Sequence, residues 1–96
     1  MNLEELRKNH KADILRIAEK YGVTNIRVFG SVARGDSKEG SDVDLLAKFP
    51  PKTSFIEYGK FLNDLEQSLP FEFDFLSENG INKYIKEEVI NSSITL

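Results

Sequence analysis

The stretch GSVARGDSKEGSDVDLL, residues 30–46, decides how the rest of this chain is interpreted. A Gly30-Ser31 pair stands eleven residues ahead of two carboxylates, Asp42 and Asp44, which are spaced i and i+2. Residues i and i+2 of a strand point to the same side, about 6–7 Å apart. Carboxylates at that separation repel each other, so the spacing indicates that a positively charged group lies between them.

The residues around the two carboxylates alternate as those of a strand do. DVDLLAKF, residues 42–49, separates its side chains into two faces, and Pro50-Pro51 ends the run. One face carries Val43, Leu45, Ala47 and Phe49, and the other carries Asp42, Asp44, Leu46 and Lys48. We therefore predict a strand over these residues, with both carboxylates on the same face.

The segment before this strand predicts a long helix and another strand. Asn2 is a helix N-cap, and apolar residues then repeat at spacings of three and four as far as Tyr21. This pattern predicts one helix of about 18 residues that ends at Gly22, with His10 packing on its apolar side. NIRVFG, residues 25–30, predicts a strand, after which SVAR begins a helical turn.

The segment after residue 50 begins with a helix. Ser54 and Glu57 form a capping box at its start. The predicted buried stripe of this helix consists of Phe55, Tyr58, Leu62, Leu65 and Leu69. FEFDFL, residues 71–76, then predicts a strand with three phenylalanines on one face and Asp74 on the other, beside Glu72 and Leu76.

The C-terminal residues complete the predicted order of elements. Asn79-Gly80 predicts a turn, residues 81–89 a last helix, and SITL a short terminal strand. The order is therefore α-β-(short helix)-β-α-β-α. Strands that alternate with helices predict an α/β fold whose sheet is covered by helices, while the direction of each strand stays open. We expect a single domain over residues 1–96.

The composition excludes several classes of function. Of 96 residues, 40% are hydrophobic and 30% charged, as in an ordinary globular protein. The net charge of −3 argues against a general nucleic-acid binder, which carries a basic face. Without cysteine, thiol catalysis and cysteine-based zinc sites are excluded. No stretch approaches about 20 apolar residues, so we expect a cytoplasmic protein without membrane contact.

The candidate functional residues suit phosphate and a divalent cation. Glycine lets a ligand approach the backbone, and free N–H groups at a helix start suit phosphate, so Gly30 and Ser31 are candidates. Carboxylates on one face suit Mg²⁺, and Asp74 would join Asp42 and Asp44 if its strand lay beside theirs. A structural interpretation also stays open, because Gly-Ser turns are common and these aspartates suit a solvated sheet face.

Taken together, GSVARG, SDVDLL and an isolated Asp74 in a hydrophobic strand resemble the minimal nucleotidyltransferases of the DNA polymerase β-like superfamily. The resemblance covers nearly the whole chain. It implies a small mixed β-sheet flanked by helices. It also implies that Asp42, Asp44 and Asp74 bind metal and are catalytic, with two Mg²⁺ ions expected and Asp74 also deprotonating the acceptor hydroxyl.

The same resemblance assigns the nucleotide-binding residues. It implies that Gly30 and Ser31 hold the triphosphate of ATP. Arg34, within the matched segment, either neutralises phosphate or makes a structural salt bridge. The implied reaction is the Mg²⁺-dependent transfer of AMP from ATP to a hydroxyl.

The acceptor is the more open question. Relatives of this size, the MntA-like antitoxins of HEPN/MNT toxin–antitoxin systems, add AMP to a tyrosine of a HEPN-domain toxin, and the resemblance implies such a partner. Two alternatives stay open: a non-catalytic module that neutralises its partner by direct contact, and a nucleotidyltransferase with a small-molecule or RNA acceptor. The three aspartates favour an enzyme. Acidity and short length favour a protein acceptor without direct nucleic-acid binding.

Overall fold

The computed structural model describes residues 1–38, 40 and 42–96 of the chain. The helices are α1 (Leu3–Asn9), α2 (Lys11–Lys20), α3 (Gly30–Arg34), α4 (Phe55–Ser68) and α5 (Lys83–Ser92), with a 3₁₀ turn at Glu78–Gly80. The strands are β1 (Thr24–Phe29), β2 (Val43–Lys48), β3 (Phe73–Ser77) and β4 (Ile94–Thr95). None of the helices in the described residues is both long and apolar enough to cross a membrane.

The N-terminal helix is interrupted, so the prediction of one continuous helix is wrong. The Asn2 side chain caps the start, accepting the N–H of Glu5 at 2.8 Å as predicted. The chain leaves helical geometry at His10 (φ −130°, ψ −14°), which separates α1 from α2. The His10 ring packs edge-on against Phe71, with centroids 4.9 Å apart. The apolar spacing continues across the interruption because both helices contribute to the same core.

The end of α2 follows the prediction. Gly22 adopts a left-handed conformation (φ +70°) directly after the helix. Val23 donates its N–H to Ala18 O at 2.9 Å and Gly22 donates to Glu19 O at 3.2 Å. This pair of bonds is the Schellman closure that glycine favours after a helix. It turns the chain sharply from α2 into β1.

The four strands form one mixed sheet in the order β3-β2-β1-β4. β1 runs antiparallel to both β2 and β4, whereas β2 and β3 are parallel. The mixed sheet and the short terminal strand confirm the expectations from the resemblance and the sequence. Because β1 and β2 are antiparallel, the last residues of β1 and the first residues of β2 meet at the same end of the sheet. The first residues of β3 lie beside them.

Two arginines join the C-terminal residues to β1 and to α1, and β1 pairs with β2 on one edge and with β4 on the other. Arg27 of β1 donates to the Ser93 side chain at 2.5 Å and to Thr95 Oγ1 at 3.1 Å. Arg7 of α1 donates to Thr95 O at 2.7 Å and to Leu96 O at 3.2 Å. The strand that ends at the Gly-Ser turn is therefore bonded on both of its edges.

One sheet face forms the core with α1, α2 and α4. Its fully buried members include Val28, Val43, Leu45 and Phe61. Phe61 packs edge-on against three aromatic rings, Tyr21, Phe49 and Phe75, at centroid distances of 5.1–5.7 Å. The predicted stripe of α4 is wrong at its first member, because Phe55 is 94% exposed. Its place directly after the Ser54 cap leaves it in the first turn, outside the part of α4 that packs on the core.

Replacing Phe61 with Ala should lower the free energy of unfolding by about 3–5 kcal/mol, because it empties the centre of the aromatic cluster. Phe55→Ala is the matched control and should change it by less than about 0.5 kcal/mol, since that ring is exposed. Urea unfolding followed by far-UV circular dichroism measures both values. Equal losses in the two variants would show that the core is not where the structure places it.

Candidate active site

The turn between β1 and α3 requires a glycine because of what lies against it. Gly30 has φ +70°, a conformation that side chains disfavour. A Cβ at this position would lie 2.2 Å from Asp44 Oδ2 and 3.1 Å from Asp44 Cγ. The register explains this approach, since Phe29 at the end of β1 is paired with Asp44. The Gly-Ser turn and the second carboxylate of the Asp-x-Asp pair are thus in direct contact.

The parallel pairing of β2 and β3 brings the third aspartate to the same place. Asp44 and Asp74 are paired residues of neighbouring strands, so their side chains leave the same face of the sheet. Asp42, exposed, lies just before β2. Ser41, the first residue of SDVDLL, lies outside the described residues. The condition set by the sequence, that the third strand lies beside the second, is therefore met.

The surroundings of Asp44 disfavour its charge. Partial burial raises the pKa of its carboxyl above the ordinary value, and the negative charges of Asp74 and then Asp42 raise it further. The positive charge of Arg34 acts in the opposite direction. These effects show that three carboxylates and one guanidinium share one electrostatic environment. A cation among them would relieve the repulsion.

Arg34 makes the structural salt bridge that was one of the two interpretations left open by the sequence. Its Nε lies 3.2 Å from Asp36 Oδ2, in an ion pair whose side chains are each 62% exposed. Its charge also acts on Asp44 and lowers the pKa of that carboxyl, but by less than burial and the two neighbouring aspartates raise it. An exposed pair of this kind contributes little to stability, so the guanidinium can exchange Asp36 for a bound anion at small cost.

The remaining candidates occupy distinct positions. Ser31 is half-buried in the first turn of α3, and Phe29, the residue at the N-cap, provides no side-chain bond to that turn. Lys48 shares the carboxylate face but pairs with Thr24 at the far end of β2. Four residues of strand separate it from Asp44 by about 13 Å, so it is a surface lysine away from the carboxylates.

The carboxylates fit a divalent cation in a particular way. Among the residues that the structure describes, no three His, Asp or Glu side chains stand close enough to enclose a metal ion by themselves. Mg²⁺ is commonly held by one or two carboxylates together with substrate phosphates. The paired Asp44 and Asp74, with Asp42 nearby, therefore fit a cation whose coordination is completed by phosphate oxygens.

A large cavity adjoins this group. It has a volume of about 970 Å³, and Asp74 is one of its lining residues. The other described residues that line it come from the chain start, α4, the segment that joins α4 to β3, β3 itself, and Gly40 of the loop before β2. Sequence reasoning missed this cavity, since its walls come from segments far apart in the chain. The only signal in the sequence was the acidic and aromatic alternation of residues 71–75.

Comparison with known proteins identifies the fold and its chemistry. The sequence profile described as "Nucleotidyltransferase domain" matches residues 9–96. The chain belongs to the nucleotidyltransferase domain family. It is therefore a nucleotidyltransferase, and the family resemblance drawn from GSVARG, SDVDLL and Asp74 is confirmed.

Two relatives of this nucleotidyltransferase cover almost its full length. A Methanocaldococcus jannaschii protein, named provisionally as a protein adenylyltransferase, is 33% identical over 94 residues, which are 98% of this chain and 97% of that protein. Protein adenylyltransferase MntA of Thermococcus cleftensis is 31% identical over 94 residues, 98% of this chain and 95% of the relative.

Solved structures agree with the fold. A minimal nucleotidyltransferase superposes with a TM-score of 0.84 at 36% identity, covering 100% of this chain and 97% of that chain. A toxin–antitoxin complex with AMP-PNP contains a similar fold, with a TM-score of 0.73 at 16% identity over 90% of this chain and 71% of that chain. The second likeness concerns the fold alone. The mixed sheet flanked by helices is thus the minimal nucleotidyltransferase fold.

Gly30→Ala should displace the Asp44 carboxylate and lower the nucleotidyl transfer rate about 100-fold or more, because small misplacements of reacting groups are costly. Gly35→Ala is the matched control. Gly35 also has a left-handed backbone (φ +81°), but nothing lies within 4 Å of its Cβ position. The control should lose only about 1–2 kcal/mol of stability and keep its activity. Label-transfer rates and urea unfolding of both variants test this, and equal rates would contradict the close approach.

Asp44→Asn should raise the free energy of unfolding near neutral pH by on the order of 0.5 kcal/mol, because it removes a partly buried charge that Asp74 also repels. The gain should be full above the raised pKa of Asp44 and vanish as the pH falls below 3.8, where the wild-type carboxyl is protonated in both the folded and the unfolded state. Urea unfolding in EDTA measures it. The control Asp36→Asn should not raise the free energy of unfolding, since Asp36 pairs with Arg34. An Asp44→Asn variant less stable than the wild type would contradict the charge argument.

Proposed function

We propose that this nucleotidyltransferase transfers AMP from ATP to a tyrosine hydroxyl of a HEPN-domain toxin and thereby acts as its antitoxin. The observation that carries the proposal is the placement of Asp44 against Gly30, together with the pairing of Asp44 with Asp74. Carboxylates beside a glycine turn suit a triphosphate and its cations. We further propose that residues 1–96 act as one domain, in the cytoplasm, where ATP is available.

The assignment of residues follows from this geometry. Gly30 and Ser31 lie at the start of α3, where backbone N–H groups can donate hydrogen bonds to phosphate oxygens. Arg34 adds a positive charge near the carboxylates. Asp42, Asp44 and Asp74 would hold Mg²⁺, in two ions by the family resemblance, and the metal would neutralise the charge that develops on the phosphates. The proposed nucleotide-binding groups thus come from α3 and from the meeting ends of β1, β2 and β3.

The transfer itself is a substitution at the α-phosphorus of ATP. The acceptor hydroxyl oxygen forms a bond to that phosphorus, the bond to the β-phosphate oxygen breaks, and pyrophosphate leaves. We assign the role of receiving the hydroxyl proton to Asp74. This residue lies on β3, the outermost of the strands that carry the carboxylates, and it lines the large cavity. The remaining residues orient the substrates and balance charge.

The comparisons support a protein acceptor. One full-length relative is named protein adenylyltransferase MntA, and structures of similar fold come from toxin–antitoxin complexes, one of them with AMP-PNP. The chain carries a net charge of −3, which does not favour an RNA acceptor. A protein toxin that ATP-dependent transfer silences is therefore the acceptor class that we favour.

Incubation with radiolabelled ATP, Mg²⁺ and the protein encoded beside this chain should label that partner. Asp42→Asn/Asp44→Asn and Asp74→Asn should each lower labelling about 100-fold or more, because each removes groups that act on the transferred phosphate. Asp36→Asn, an exposed aspartate in the same segment, is the control and should label normally.

The outcomes separate the alternatives. Full labelling by the double variant would contradict the site assignment. An unlabelled partner that the wild type still binds and inhibits would identify a non-catalytic module instead. Labelling of RNA or of a small molecule in place of the partner would identify another acceptor class.

A further inference from the structure

The cavity beside Asp74 is a groove that follows the outer edge of β3. Residues 69–75 line it, and Phe73, Asp74 and Phe75 of these belong to β3. Successive side chains of a strand point to opposite faces, so a cavity lined by all three of these strand residues runs along the edge of the strand and not along one face. Leu62 and Glu66 of α4 and Met1 and Glu5 of the chain start also line the groove.

The backbone of β3 presents the hydrogen-bonding groups of Phe73 to this groove, while the C=O of Phe75 accepts the Tyr58 hydroxyl at 3.4 Å. β3 is the outermost strand of the sheet on this side. Val43 of β2 is paired with Phe73 and donates its N–H to Glu72 O at 3.1 Å. In a parallel ladder this pairing turns the N–H and C=O of Phe73 away from β2. An extended peptide placed in the groove would meet them as an added strand does.

The charge of the groove restricts its occupant. Four carboxylates line it, from Glu5, Glu66, Glu72 and Asp74, and none of the described lining residues is Lys, Arg or His. Three phenylalanines, Phe71, Phe73 and Phe75, supply half-buried apolar surface between them. Such a surface repels a polyphosphate or a nucleic acid and attracts an extended peptide with positive side chains.

The order of the elements suits an acceptor entering from this side. Asp74 of β3 is paired with Asp44 of β2, and Asp44 lies against Gly30 at the end of β1. The groove and the proposed triphosphate turn therefore lie on opposite sides of the carboxylates. An acceptor and a leaving group on opposite sides of the transferred phosphorus is the arrangement that in-line substitution needs.

We propose that this groove binds the acceptor segment of the partner protein as an added strand along β3, and that the segment carries Lys or Arg beside its accepting hydroxyl. The inference rests on the proposed transfer reaction, because Asp74 is the residue that the groove and the reaction share. It adds to that function the chemical class of the segment and the surface that binds it.

Peptide binding tests the groove independently of catalysis. A fluorescein-labelled, extended tyrosine peptide flanked by Lys and Arg should bind the wild type, whereas the same peptide flanked by Glu should not.

Glu5→Gln/Glu66→Gln should weaken binding of the cationic peptide about three- to tenfold, as expected for two exposed charge pairs. Glu19→Gln/Glu87→Gln is the control, since it makes the same charge change at exposed residues outside the groove. Fluorescence anisotropy measures the affinity of the wild type for both peptides and of both double variants for the cationic peptide. Equal binding of the two peptides, or equal weakening by the two variants, would overturn the proposal.

A third peptide tests the added strand. N-methylation at alternate residues of the cationic peptide blocks its backbone donors without changing its charge, and should weaken binding about tenfold or more. Unchanged affinity would overturn strand addition.

Radiolabelled ATP is then added to the same mixtures. Peptide that is bound but unlabelled in every sample would count against transfer to a protein and would leave the proposal of a peptide-binding groove intact. Peptide labelled without preference for flanking charge would overturn the groove while the transfer function stands.

Discussion

The structure depends on the close approach between the Asp44 carboxylate and the backbone of Gly30. A Cβ at Gly30 would lie 2.2 Å from Asp44 Oδ2, so only glycine lets the Asp44 carboxylate lie this close to the end of β1. The antiparallel register of β1 and β2 imposes the approach by pairing Phe29 with Asp44. The turn proposed to bind phosphate and the carboxylate proposed to bind metal would otherwise be separate features of the chain.

The same approach has an electrostatic consequence. Asp44 is partly buried and faces the negative charges of Asp74 and Asp42, and the single guanidinium of Arg34 compensates them only in part. The sheet therefore holds like charges together in the absence of a ligand, at the expense of stability. A nucleotide with its cations brings both positive charge and phosphate oxygens, so binding completes an arrangement that the protein alone leaves repulsive.

One face of the sheet packs into the core, and the other face carries the candidate catalytic carboxylates. The core face is closed by α1, α2 and α4 around Phe61. On the other face Leu46 is fully buried, but Asp44 is only partly covered, and α5 contains no buried residue. A small domain can bury only a modest core, so the face that carries the carboxylates stays open to substrates.

How much of this the sequence could predict differs between local and distant features. Alternation predicted β2 and β3, the Asn2 and Ser54 caps predicted two helix starts, and Gly22 predicted a helix end, because each depends on residues a few positions apart. The break at His10 was missed, because an apolar period of three and four residues persists through a one-residue interruption that joins two helices on one core. Phe55 was misassigned for a related reason: its spacing fits the stripe, but the packing of α4 leaves its first turn in solvent.

For the site, the sequence by itself determined which residue types are present and that Asp42 and Asp44 lie two positions apart. It also supplied the motifs by which the family is recognised. Only the tertiary structure decided that β2 and β3 are parallel and paired at Asp44 and Asp74, and that Gly30 lies against Asp44. Strand order and direction are set by packing and hydrogen bonds between segments thirty residues apart, which no local pattern encodes. The groove along β3 belongs to the same class, since its walls meet only when the chain is folded.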